Sequence, residues 1–138
     1  MTAITTGTVG VRSGAEDQLL RFAVRADATL CAGLGLFIAI AADPLARLTG
    51  LSATTEWLVG AALVGYGALL YTAARVRAVR RVGQAVLSGN IAFAGAATVA
   101  LGAGWLPLTA FGVASMVAFI ALTLGAAGLQ YLGVRRLA

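Results

Sequence analysis

The sequence contains no histidine, no lysine and a single cysteine, Cys31. Each absence removes a class of chemistry. Without histidine, the usual haem axial ligand and the commonest zinc ligand are missing. A lone cysteine excludes an intrachain disulfide and a CxxC redox pair. Charge is also scarce: 11% of residues are charged and 60% are hydrophobic, whereas a soluble domain carries about 25% charged residues. A chain of 138 residues has a high surface-to-volume ratio, so in water much of that apolar surface would lie exposed. Lipid removes the difficulty, because apolar side chains then face outward at no cost.

A membrane crossing needs about 20 apolar residues to traverse a hydrocarbon core of roughly 30 Å. Four segments meet or approach that length, over residues 22–42, 57–74, 82–103 and 108–133. The expected fold is all-α, a four-helix transmembrane bundle running up-down-up-down over 14–138 behind a disordered tail at 1–13. Ser13 and Glu16 have the spacing of a capping box, which predicts a helix start near Gly14. Asp17 and Arg21 are placed to pair on the wet side of that helix. Asp43-Pro44 ends the first span, Leu45 to Gly50 forms a short interfacial turn closed by the glycine, and Gly104-Trp105-Leu106-Pro107 makes a tight last hairpin.

The first span is the least clear. Its uncharged run from Ala28 to Ala42 reaches only about 22 Å as a helix. Crossing the core draws Asp27 about one turn into the apolar zone, while Arg21 and Arg25 snorkel to the headgroups. Ala39-Ile40-Ala41 resembles a signal-peptide cleavage site. The long preceding region with Glu16, Asp17 and Asp27 argues against cleavage.

Orientation follows from arginine. Arg12, Arg21, Arg25, Arg75, Arg77, Arg80, Arg81, Arg135 and Arg136 fall on one side and only Arg47 on the other, so the expectation is that both termini are cytoplasmic. The same placement accounts for the net charge of +5 without nucleic acid as a partner. Trp57 and Trp105 fit the outer interface, Tyr71 and Tyr131 the inner one. Arginine- and alanine-heavy usage fits a GC-rich bacterial genome, and the expected location is the bacterial inner membrane, as a multi-pass protein.

Small residues recur on the predicted helices and mark contact faces: Ser88, Ala92, Ala96, Ala100 and Gly104 on the third, Cys31, Gly35 and Ala39 on the first, Ala61 and Gly65 on the second, Ala121 and Gly125 on the fourth. A weak internal echo is present. Asp27 precedes Pro44 by the same spacing with which Asn90 precedes Pro107, and a leucine follows each proline. Two related hairpins about an axis along the membrane normal would produce such a pattern.

An ionisable residue inside the hydrocarbon is a functional candidate, and Asp27 leads. Tyr71, Gln84, Ser88, Asn90, Gln130 and Tyr131 lie in the same leaflet, so a polar pocket of Asp27, Tyr71, Ser88, Asn90, Gln130 and Tyr131 is expected. The alternatives are an interfacial Asp27 paired with Arg80 or Arg81, and an Asn90 that glues helices through an interhelical hydrogen bond. Arg75, Arg77, Arg80, Arg81, Arg135 and Arg136 set topology and are expected to contact anionic lipid. Cys31 reads as a small hydrophobe. No catalytic set, metal cluster, cofactor fingerprint or phosphate-binding loop appears.

Arg25-Ala26-Asp27 ahead of a Gly-rich span, the stretch Gly104 to Gly112, and Leu129-Gln130-Tyr131-Leu132-Gly133-Val134-Arg135-Arg136 together resemble a group of small four-helix membrane proteins common in actinobacteria and other bacteria. The chain is also loosely similar to DoxX-like proteins in size and hydropathy. The resemblance implies the four-helix topology and no particular activity. Three functions compete. The leading expectation is an accessory or structural subunit, as a homo-oligomer or within a larger membrane complex. The second is a small-molecule or lipid-binding protein, transporter- or channel-like, with its pocket at Asp27 and Asn90. The third is a membrane enzyme acting on a lipophilic substrate.

Overall fold

The computed structural model describes residues 7–137, which form five helices. They are α1 (Gly7–Ile40), α2 (Ala42–Thr49), α3 (Ala53–Ala73), α4 (Val79–Gly102) and α5 (Ala110–Arg136). No strand occurs among the described residues. Four helices are long and apolar enough to cross a membrane: Asp17–Ile40 within α1, then α3, α4 and α5. The fold is an all-α bundle, as expected.

Helix α1 begins at Gly7, about two turns before the start that the Ser13–Glu16 spacing predicts. Part of the expected disordered tail is therefore helical, and residues 1–6 lie outside the described residues. Asp27 sits about 15 Å along the helix from Asp17 and about 20 Å from Ile40.

Proline shapes the first connection. Helix α1 stops at Ile40 and α2 restarts at Ala42, so Pro44 falls in the first turn of α2, where its missing N–H costs no hydrogen bond. Gly50 closes α2 at φ 87°, donating its N–H to the Ala46 carbonyl at 3.1 Å. Ser52 and Thr109 cap α3 and α5, each hydroxyl accepting a backbone N–H at 3.1 Å. Gly104, at φ 67°, supplies the left-handed residue of the expected last hairpin.

The bundle is two hairpins joined along α1. Helix α1 packs most closely on α3, α4 on α5, and α1 also contacts α4 and α5, while α3 and α4 scarcely touch. In lipid no hydrophobic force sorts inner from outer faces, so close backbone approach carries the packing. Gly60 shows this: a Cβ there would lie 2.5 Å from the Ala39 amide nitrogen. The apolar core, including Leu20, Val24, Ala28, Leu70, Ala74 and Val86, gathers toward the arginine-rich end. Large apolar side chains such as Phe22, Leu36, Phe37, Ile91 and Leu122 point outward, as a lipid-facing surface requires.

Both ends are tied by polar contacts. At the tryptophan-bearing end, Thr109 donates its N–H to the Thr49 carbonyl at 2.8 Å and its hydroxyl to the Leu48 carbonyl. Thr49 in turn donates its hydroxyl to buried Glu56 at 2.5 Å. At the other end, Arg21 donates to the Ala74 carbonyl at 2.6 Å, a cation on the closing turn of α3.

The small-residue faces divide. Gly35 is buried against α3 as expected, but α3 meets it with Gly60 and Leu63, while Gly65 stays exposed. Ser88, Ala92 and Ala96 on α4 are also exposed, as are Ala121 and Gly125 on α5. Those series are not contact faces of this bundle. Helix α4 turns Asn90 and Ala94 inward instead.

Candidate functional site: a carboxylate among amides

Asp27, Asn90 and Gln130 meet inside the bundle, 6%, 5% and 0% exposed. Each comes from a different span, and the helical periodicity of small and polar residues brings them to one level. Asn90 Nδ2 donates to Asp27 Oδ2 at 2.9 Å and to Gln130 Oε1 at 3.1 Å. Gln130 Nε2 donates to the same Asp27 oxygen at 2.7 Å. Tyr66 on α3 donates its hydroxyl to Asn90 Oδ1 at 3.4 Å. Cys31, one turn beyond Asp27, donates its thiol to Asp27 Oδ1 at 3.5 Å. All four spans thus contribute to one network.

No buried side-chain nitrogen or oxygen among the described residues lacks a partner. The satisfaction is uneven, however. Oδ2 of Asp27 accepts two amide N–H groups, whereas Oδ1 accepts only a thiol, a weak donor. A carboxylate offers about four lone-pair sites, so acceptor capacity remains on Oδ1. The partners of the carboxylate are amides and a thiol, not Arg80 or Arg81, which are exposed.

The expected pocket of six residues is brought together only in part. Asp27, Asn90 and Gln130 converge. Tyr71, Ser88 and Tyr131 are exposed, Tyr71 lying beneath the Arg75 guanidinium at 5.1 Å as a cation–π pair. Gln84 is exposed too. Two members were not foreseen. Tyr66 lies about 10 Å from the end of α3, deeper than the interfacial Tyr71. A buried tyrosine hydroxyl needs a partner, and that depth was the available signal. Cys31 shares a face with Asp27 one turn on, which its reading as a small hydrophobe passed over.

Beside the network runs a groove between α1 and α5 of about 670 Å³. Asp27 contributes to its wall, and Ala26, Leu30, Ala121, Gly125 and Leu129 are among the apolar residues that line the rest. Arg75, Arg77, Arg80, Arg81, Arg135 and Arg136 are all exposed at the end of the bundle nearer the network. Among the described residues, no group of His, Cys, Asp and Glu has the makings of a metal site.

Comparison with protein-family models, with curated proteins and with solved structures finds no match. Four helices long and apolar enough to cross a membrane make the chain a small multi-pass membrane protein.

Proposed function

We propose that this protein is a small-molecule or lipid-binding membrane protein whose site centres on Asp27 and Asn90. The carrying observation is the burial of Asp27, 6% exposed on a helix long and apolar enough to cross a membrane. Placing a carboxylate there is costly, and such residues mark ligand or ion paths by default. Two further spans supply it with amide donors, the third reaches it through Asn90, and it borders an open groove between α1 and α5. A bundle needing only cohesion is held more cheaply by neutral side chains, since an interhelical hydrogen bond contributes only about 0.6 kcal/mol. The positive-inside arginine distribution supports cytoplasmic termini, and the exposed arginines near the site support contact with anionic headgroups. Native mass spectrometry of the protein released from membranes tests the reading. A retained small molecule or lipid is expected in the wild type and should be lost in Asp27→Asn. Identical spectra with no retained mass would refute it.

A second reading, an accessory subunit or homo-oligomer, draws on one specific feature. Ser88, Ala92 and Ala96 form an exposed small-residue face on α4, the kind of surface that another membrane helix approaches closely. In a Cys31→Ala background, Ser88→Cys is expected to cross-link to a partner helix. A lone, uncross-linked monomer counts against it.

A further inference from the structure

We infer that the ligand is a lipophilic amine, with its ammonium on Asp27 and its hydrocarbon body in the groove between α1 and α5. The inference rests on the binding reading above and adds the chemical class. Two independent features meet at one point. Asp27 supplies a buried carboxyl group whose partners are neutral, with Oδ1 held only by the Cys31 thiol at 3.5 Å. The groove supplies apolar volume, about 670 Å³ along an open face. It follows α5 from Ala118 to Leu129, a run of about 16 Å.

Charge complementarity selects the occupant. An anion would face a carboxylate in a medium of low dielectric and be repelled. A neutral chain would fill the groove and leave Asp27 unused. An inorganic cation would satisfy Asp27 and leave the groove unused. A primary ammonium brings one positive charge and three donors, enough to take over Oδ1 while the Asn90 and Gln130 amides keep Oδ2. The pair is then neutral overall, which offsets the burial of both charges.

The groove also permits a test that spares the network. A Cβ on Gly125 would meet nothing within 4 Å, and Gly125 lines the groove, so Gly125→Leu extends a side chain into it from open space. The probe is a dodecylamine carrying a photoreactive diazirine, with the matching alcohol as control, applied to the full chain in lipid nanodiscs. Labelled residues are mapped by mass spectrometry. The amine is expected to label Leu30, Leu122 or Leu129. The yield should fall about tenfold in Asp27→Asn, the loss of one charge-assisted contact, and also fall in Gly125→Leu, where Asp27 is intact. The alcohol should label at the lower level in all three proteins. Equal labelling by amine and alcohol that still depends on Asp27 would overturn the amine class and leave a binding site in place. Absence of groove labelling by either probe would overturn both. Should Asp27→Asn fail to fold, the Gly125→Leu comparison decides.

Discussion

Removing Asn90 should unsettle more than its own three hydrogen bonds. Its Nδ2 holds Asp27 and Gln130 at 2.9 and 3.1 Å, and its Oδ1 receives the Tyr66 hydroxyl. In Asn90→Ala, three hydrogen bonds of the side-chain amide disappear at about 0.6 kcal/mol each. The larger loss is what remains behind: Gln130 Oε1 and the Tyr66 hydroxyl lose their partners, and Asp27 keeps one amide donor. A stranded buried polar group costs about 1–3 kcal/mol, partly relieved in a membrane because the unfolded chain also finds partners. The sum points to a destabilisation of about 2–3 kcal/mol. The assay is reversible unfolding in mixed micelles with increasing dodecyl sulfate, followed by helical circular dichroism. Gln130→Ala and the double variant complete a cycle, with an expected coupling of about 0.5–2 kcal/mol. Ser88→Ala, on the exposed side of the same helix, should move stability by less than about 0.5 kcal/mol. An Asn90→Ala effect no larger than that of Ser88→Ala, or additivity within about 0.3 kcal/mol, would refute the network.

Further outcomes follow from the packing and the charge pattern. Gly60→Val should destabilise by about 1–3 kcal/mol, because its Cβ meets the α1 backbone, whereas Gly65→Val should stay within about 0.5 kcal/mol, having open space; the same unfolding assay reads both. Thr49→Val strands the buried Glu56 carboxylate that its hydroxyl now satisfies, and should lower stability by about 1–3 kcal/mol. In a Cys31→Ala background, Ala78→Cys, in the arginine-rich connection between α3 and α4, should react with a membrane-impermeant maleimide only once cells are opened. Labelling of intact cells would reverse the orientation.

The spans were legible because hydropathy and arginine placement act along the chain, one residue at a time. Helix faces were harder, for a physical reason. In water a burial pattern separates apolar from polar. In lipid an alanine is equally at home inside or outside, so the series Ser88, Ala92, Ala96 carried no sign of which way it faced. The inward faces are marked by side chains that lipid cannot accept: Asp27, Asn90 and Gln130 all turn inward. Polar periodicity was the better signal, and it also explains the misplacements. Tyr71 and Tyr131 lie on outward faces of α3 and α5, so nothing drew them into the network, whereas Tyr66 is half-buried and reaches Asn90.

The echo between the hairpins gains meaning from the same logic. Asp27 and Asn90 stand at matching distances before Pro44 and Pro107, and in the bundle they are bonded to each other at 2.9 Å. Matching positions of two hairpins related by an axis along the membrane normal approach one another only near that axis. The network therefore sits where such hairpins would have to meet, between the α1–α3 pair and the α4–α5 pair. One hairpin contributes the acid and the other an amide, so the two halves are chemically unequal at the point where they are geometrically alike. An amide in place of Asp27 would complete a neutral, symmetric pair sufficient for cohesion. The retained carboxyl group is the asymmetry that cohesion leaves unexplained, and it is the reason Asp27→Asn is the variant that separates a binding site from a structural joint.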